Sequence, residues 1–511
     1  MTGVDKQESV FELIKSMTKA EKRNFKLYVT RLSGNQDAKF LSLFDLLDSL
    51  DKYDENKVLE RCPIKKEQLP NTKAHLQKQL LISMRLLNVQ HSDTMQIREQ
   101  LDFAQILYNK GLYKQSSKIL DKCYEQASKS QQHSTLIDIV QLMLQIETTD
   151  ISSGISERAS EFARQVTVRC NIISNINELY LIAIQLFDLH HKLGYARSQK
   201  DLDFIDNYFA PKLKSYDLNS LSFLEKFYFF QAKAWFYYIK HDFVISYRYA
   251  CLWVDLFNSN EKMKFRMYDN YLRGYARILD GLYMMRRHRQ LSERIESLEK
   301  EWDSFAKINE NADIISSNIL LTAKINLVFL KGNFEDGLEL IKDKNIMRKA
   351  DHASGSTKMW FYYKVACLYF GSGEYKKCMQ YLSKITTTKD NTLRRDIQCY
   401  AKMLYLIASY EAGIDYNLDY QIRSVYSFLV KMNDMQEVQK ELLTFLKRLN
   451  KIYEKDFKDE LQKLYNNIKP YERHPYLQRT FYYLDIISWL ESMLTSKTVS
   501  EIIQRKFAES L

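Results

Sequence analysis

Proline and glycine are both scarce in this chain. Five prolines and thirteen glycines among 511 residues leave few places where a helix has to stop. No stretch shows the alternation of a half-buried strand, so the fold class expected is all-α. The seven cysteines, at positions 62, 123, 170, 251, 367, 378 and 399, form no CxxC pair. That excludes a paired-cysteine zinc or redox motif and points to reduced, mostly buried thiols in a cytoplasmic protein. No run of eighteen uncharged apolar residues occurs, and the opening MTGVDKQESVFELIKSM has an early Asp5 and no apolar core. Neither a membrane span nor a signal peptide is expected.

Catalytic signatures are missing as well. HExxH, GxSxG and a phosphate-binding loop are all absent. His190 and His191 are adjacent, so a helix points them about 100° apart and shared metal ligation is awkward. No enzyme activity, cofactor or metal is expected. Charge is mildly one-sided, 75 basic against 64 acidic residues, and is spread along the chain. Such a balance does not by itself call for nucleic acid.

The few glycines are spaced. Gly111, Gly154, Gly194, Gly332, Gly373 and Gly413, with the polar turns His241 and Arg287 filling the two gaps, fall at intervals of 43, 40, 47, 46, 45, 41 and 40 residues. A period of that size with helical sequence on either side is the pattern of repeated helical hairpins. Two residues after the anchor stands an aromatic in four units: Tyr113, Phe243, Phe334 and Tyr375. Five residues after it stands a small residue in six, namely Ser116, Ala159, Ser246, Ser292, Gly337 and Cys378. Ala104, Ala234 and Ala366, seven before the anchor, match them from the first helix, so the two helices of a hairpin can approach closely.

In KGLYKQS (110–116), KGNFEDG (331–337) and SGEYKKC (372–378) this pattern resembles the tetratricopeptide repeat. The resemblance covers about 96–430. The units are longer than the family's repeat of about 34 residues, and Gln199 and Leu418 stand where a small residue belongs. The resemblance implies a right-handed α-solenoid of about eight hairpins, with a helical unit at 1–95 and a helical cap at 431–511 that covers the last apolar face. In that family the first helices line a groove that takes an extended peptide or a partner's helix. Carried onto this chain, the groove positions are Arg98, Gln105, Asp188, His191, Gln231, Tyr238, Arg277, Thr322, Asn326, Tyr363 and Tyr400. Arg277 and Asn326 stand out as the polar pair of neighbouring units. The expected function is a non-enzymatic scaffold that binds a protein or peptide.

The N-terminal unit carries an alternative. Thr18 and Glu21 form a capping box that starts a helix over 19–31, followed by helices near 38–50 and 55–61, and Asn71 is placed to cap a helix with the stripe Leu76, Leu80, Met84 and Leu87. Ser33, Gly34 and Asn35 break the chain between the first two. Charge reverses from acidic over 40–60 to basic over 61–85, where Arg61, Lys65, Lys66, Lys73, Lys78 and Arg85 face Glu67 alone. A short helix and a basic helix also suit a DNA-binding unit, which would make the chain a transcriptional regulator controlled by a peptide or protein on the repeats.

Two further features are read as packing and as a solvated tip. Fourteen aromatic residues lie between 223 and 257, including FYFF and WFYY, and a second WFYY at 360–363 stands in a different register. Arg286, Arg287, His288 and Arg289 mark the turn of one hairpin. After 430 the glycine turns cease, and helices are expected at 434–450, 454–468, 476–494 and from 498.

Overall fold

Helix is the only regular element among the described residues. The computed structural model describes residues 5–31, 37–89, 92–149, 157–213, 216–343, 355–387, 394–414, 418–432, 434–449 and 452–509. Gly154 and the Ser33, Gly34, Asn35 cluster lie outside them. By compactness the chain divides into Met1–Ser174 and Asn175–Leu511, a boundary that falls within the Glu157–Leu193 helix.

The first unit holds two apolar cores. Phe25, Phe40, Phe44, Leu76 and Leu80 close the N-terminal one, and Ile97, Leu120, Leu136 and Ile139 belong to the other. The Lys19–Arg31 helix begins at the expected capping box, with the Thr18 amide donating to Glu21 Oε2 at 2.7 Å and the Glu21 amide to Thr18 Oγ1 at 3.2 Å. The next long helix starts earlier than expected. Pro70 occupies the first turn of Leu69–Asn88, where a missing N–H costs nothing, so Asn71 lies inside the helix and caps nothing. Lys73, counted above on a basic face, is buried, with Nζ 2.5 Å from the Tyr53 hydroxyl. The exposed basic face is smaller by that charge.

In both units consecutive helices pair. Asp93–Asn109 packs on Tyr113–Lys129, Phe223–Ile239 on Phe243–Asn258, Tyr268–Met284 on His288–Ala306, and Gly355–Gly371 on Tyr375–Thr386. First helices also touch in succession: Tyr268–Met284 meets Glu310–Lys331, which meets Gly355–Gly371, which meets Arg395–Glu411. The turns pivot on left-handed residues. Gly111, Gly194, Gly332, Gly373 and Gly413 all have positive φ, as do His241 at 67° and Arg286 at 55°. The pivot is therefore Arg286, one residue before the expected Arg287, whose φ of −86° serves the start of the next helix. At Gly194 two demands meet: φ is 74°, and an added Cβ would lie 2.6 Å from Asp396 Oδ2 and 2.7 Å from the Tyr483 hydroxyl.

Small residues sit where the paired helices cross. Ser116 Oγ donates to Ala104 O at 2.8 Å and Ser246 Oγ to Ala234 O at 2.9 Å, with all four residues buried. The hydroxyl thus meets a backbone carbonyl of the facing helix at the point where a longer side chain would hold the helices apart. Phe334 does its packing against Gly371, where an added Cβ would fall 2.3 Å from its ring.

Beyond Lys431 the helices Glu437–Arg448 and Glu454–Ile468 continue the succession. The expected helix at 476–494 is broken into Arg479–Tyr483 and Ile486–Thr495, because Leu484 is extended and the Asp485 side chain caps a fresh start at the Ser488 amide, 3.0 Å away. This last segment then runs back over earlier turns. The Tyr482 ring meets Tyr195, His241 and Phe243, Ser500 Oγ donates to Gly332 O at 2.7 Å, and Phe507 lies edge-on to His288 at 4.8 Å. The arginine-rich tip is thereby covered at His288, while Arg289 stays exposed.

Two helices, Glu157–Lys192 and Asn311–Lys331, are long and apolar enough by length and composition to cross a membrane. The second carries the buried Asn326, whose amide oxygen accepts a hydrogen bond from Lys364 within the protein.

Overpacking a crossing tests this architecture. A Cβ at Gly337 would lie 2.5 Å from Leu368 Cδ2, and Ser246 is buried against Ala234. Gly337→Leu and Ser246→Leu should each lower stability by about 1–3 kcal/mol, read as a lower urea midpoint by circular dichroism. Unchanged midpoints for both would show that the crossings lie elsewhere.

Candidate partner-binding cavity

The first helices of successive hairpins in the second unit share one cavity of about 670 Å³. Glu157–Leu193 contributes Phe187, His190 and His191; Phe223–Ile239 contributes Gln231, Trp235 and Tyr238; Tyr268–Met284 contributes Arg273, Arg277 and Asp280. Glu310–Lys331 adds Asn318, Thr322 and Asn326, Gly355–Gly371 adds Trp360 and Lys364, and Arg394 closes the row just before the next helix. Positions about one helical repeat apart on neighbouring helices bring these side chains to a common face.

Six of the eleven residues projected onto the groove meet here: His191, Gln231, Tyr238, Arg277, Thr322 and Asn326. The others do not. Arg98 and Gln105 belong to the first unit, both exposed on Asp93–Asn109, with Gln105 bonded to Asn109 at 3.1 Å. Asp188 faces solvent and pairs with Lys192 at 2.7 Å. Tyr363 and Tyr400 are interior, each 1% exposed. Tyr363 donates to Tyr483 O at 3.0 Å; Tyr400 lies 3.0 Å from Thr480 Oγ1 and stacks on the Tyr483 ring at 4.4 Å. The returning C-terminal segment has taken the face that the repeat frame assigns to a partner.

Four cations line the cavity; Arg273 is exposed, and the other three are each held differently. Arg277 stands 4.5 Å from the Trp235 ring and 4.3 Å from Tyr238, forms an ion pair with Asp280, and leaves its buried Nη1 without a hydrogen-bond partner. Arg394 makes a two-pronged bond to Asp396, at 3.0 and 2.7 Å, beneath Trp360. The Tyr483 hydroxyl adds a third bond to Asp396 at 2.5 Å, and burial notwithstanding, Arg394 holds that carboxyl well below the usual carboxylate range. Lys364 is different. It is 4% exposed, its Nζ donates to Asn326 Oδ1 at 2.5 Å, and the rings of Trp360, Tyr283 and Phe329 surround it at 4.6, 5.2 and 5.3 Å. Among the described residues no carboxylate reaches ion-pairing distance of it. Burial lowers its ammonium from 10.5 to about 8, against the opposing pull of Asp280. His190, buried beside Arg394 and Arg277, is held well below its ordinary value and stays neutral.

Sequence reasoning missed Lys364, Trp360, Arg273 and Arg394. A signal was present for the first, since Lys364 is the only charged residue between Met359 and Gly371. A charge alone in an apolar helix rarely lacks a partner or a purpose. Arg277 and Asn326 are likewise more than groove-facing polar groups: one carries the Asp280 pair, the other the Lys364 ammonium, so replacing either disturbs the interior.

Beneath Lys364 a second cavity of about 330 Å³ lies between these first helices and the C-terminal return, walled by Phe329, Phe334, Trp360, Phe370, Phe481 and Ile503. Among the described residues no group of three or more His, Cys, Asp or Glu side chains is placed to hold a metal ion. No protein-family model, curated protein or solved structure matches the chain.

The buried ammonium makes a pH prediction. The unfolded chain keeps the lysine proton up to about 10.5, whereas the folded protein releases it near 8, so wild-type stability gains from this group as pH rises between those values. Relative to Lys364→Met, wild type should gain up to about 3 kcal/mol over that window, measured by urea unfolding at pH 7.5 and 10. A flat difference would mean that the ammonium is well solvated.

Proposed function

We propose that the chain is a non-enzymatic scaffold, a right-handed α-solenoid of tetratricopeptide-like hairpins, that binds a protein or peptide on the first helices of its second unit. The observation that supports this reading most is the convergence of six groove positions, projected from a repeat frame alone, on the 670 Å³ cavity. The lining mixes donors and acceptors with flat aromatic walls. Gln231, Asn318 and Thr322 are only partly buried there. Amide and hydroxyl groups of this kind can meet both the N–H and the C=O of an extended peptide, and the partly buried rings of Phe187 and Trp360 offer apolar surface to side chains.

The test uses residues whose loss leaves the interior intact. Partners captured from lysate of the native cell by the immobilised chain should be depleted when Gln231→Ala and Thr322→Ala are combined, with each lost buried hydrogen bond costing about 1 kcal/mol. Circular dichroism and the melting temperature should stay at wild-type values. Full recovery of every partner by the double variant would move the binding face away from the first helices.

A further inference from the structure

The smaller cavity has a chemistry of its own. Its walls are mostly rings and branched aliphatic side chains, among them Phe329, Phe334, Phe370 and Ile503. At about 330 Å³ it lies in the size range of small-molecule sites. It opens between the first helices and the returning C-terminal segment, whose Phe481 and Leu484 complete the enclosure.

Five charged residues line it, Arg286, Lys364, Glu472, Asp485 and Lys506; Lys506 is held by Ser488 Oγ at 2.9 Å and Glu491 at 3.0 Å, and of the five Lys364 alone is buried. An ammonium has three donors, and Lys364 uses one on Asn326 while three ring faces take the rest of its surroundings. Ring quadrupoles attract a cation but do not neutralise it, and the charge of a buried lysine is ordinarily balanced by a carboxylate. The nearby acids are committed elsewhere: Asp280 to Arg277, Asp396 to Arg394. At the rim, Glu472 is paired with Lys469 at 2.8 Å, and Asp485 caps the helix that begins at Ile486.

We propose that this cavity is a binding site for a small organic carboxylic acid with a compact apolar body, its carboxylate seated on Lys364 and its body among Phe329, Phe334 and Phe370. The cavity shares Trp360 and Lys364 with the larger one, but the acid site does not rest on the partner-binding reading. The bound carboxylate would supply the counter-ion that none of the described residues supplies, and would hold the lysine charged. Of the groups around the ammonium, Arg394 is permanently charged, Asp280 is ion-paired, burial pushes the Cys367 thiol up to about 12, and burial raises the Tyr283 phenol further from neutrality. Arg286, His288 and Lys506 also line the cavity, and Lys364 is the buried cation among its lining residues, lowered by burial to about 8.

The experiment is a calorimetric titration of the full chain at pH 7 with 3-phenylpropionate, octanoate and the neutral 3-phenylpropionamide. The acids should bind at least about tenfold more tightly than the amide, the margin of a charge-assisted hydrogen bond over a neutral one. The two acids distinguish an aromatic from an aliphatic body. On the unmodified protein the preference for acid should shrink by about tenfold between pH 7 and 9.5, and Lys364→Met should bind 3-phenylpropionate and its amide alike. Absence of binding by both acids, equal affinity for acid and amide, or a preference that survives in Lys364→Met or at pH 9.5 would each overturn the proposal.

Discussion

Everything about the second unit depends on how closely the two helices of a hairpin can cross. At Ala234 and Ser246 the side chains are small enough for the Ser246 hydroxyl to reach the carbonyl of the facing helix. Ala104 and Ser116 repeat the arrangement in the first unit. Close approach tucks each second helix behind its first, and the first helices can then lie against one another from Tyr268–Met284 through Arg395–Glu411. A cavity lined mainly by five first helices, with Trp253 added from a second helix, accompanies that succession. With bulkier residues at the crossings, the same polar positions would still exist in sequence but would not share a face.

The cavity's polar lining is tolerated because the strongest charges are paired. Arg394 and Asp396, and Arg479 with Asp434 at 2.9 Å, are ion pairs almost wholly removed from solvent. Such pairs add little net stability, yet breaking one leaves a bare buried charge. They therefore fix position. Arg479 and Tyr483 belong to the returning segment, and they tie it to Asp434, in the connection before Glu437–Arg448, and to Asp396 of the Arg395–Glu411 helix, 45 and 87 residues earlier. That tie is what buries Tyr363 and Tyr400 and what roofs the smaller cavity.

Much of the helical frame was legible because its signals are local. Glycine at a turn, a capping box at Thr18, and a small residue at a fixed offset each act within one or two helical turns. The turns at Gln131 and Arg394 were not legible, since both hold positive φ without being glycine, and nothing in residue type marks such a position. Asn71 misled for a related reason, as Pro70 competes for the start of the same helix. The candidate site was legible in part. His191, Gln231, Tyr238, Arg277, Thr322 and Asn326 follow from the repeat frame, whereas Tyr363 fails although it keeps the same offset as Gln231 and Thr322. Its environment is set by Tyr483, 120 residues away, and a repeat frame carries no information about a segment that folds back. Lys364, beside it in sequence, was hidden among aromatic residues read as packing.

The claim on which this account rests is that partners engage the first helices. Hydrogen exchange of the full chain, alone and with a partner recovered by capture, tests it most directly. The account predicts slowed exchange in Phe223–Ile239, Tyr268–Met284, Glu310–Lys331 and Gly355–Gly371, with Phe243–Asn258 and His288–Ala306 unchanged. Protection confined to those two second helices, with the first helices exchanging as in the free protein, would contradict it.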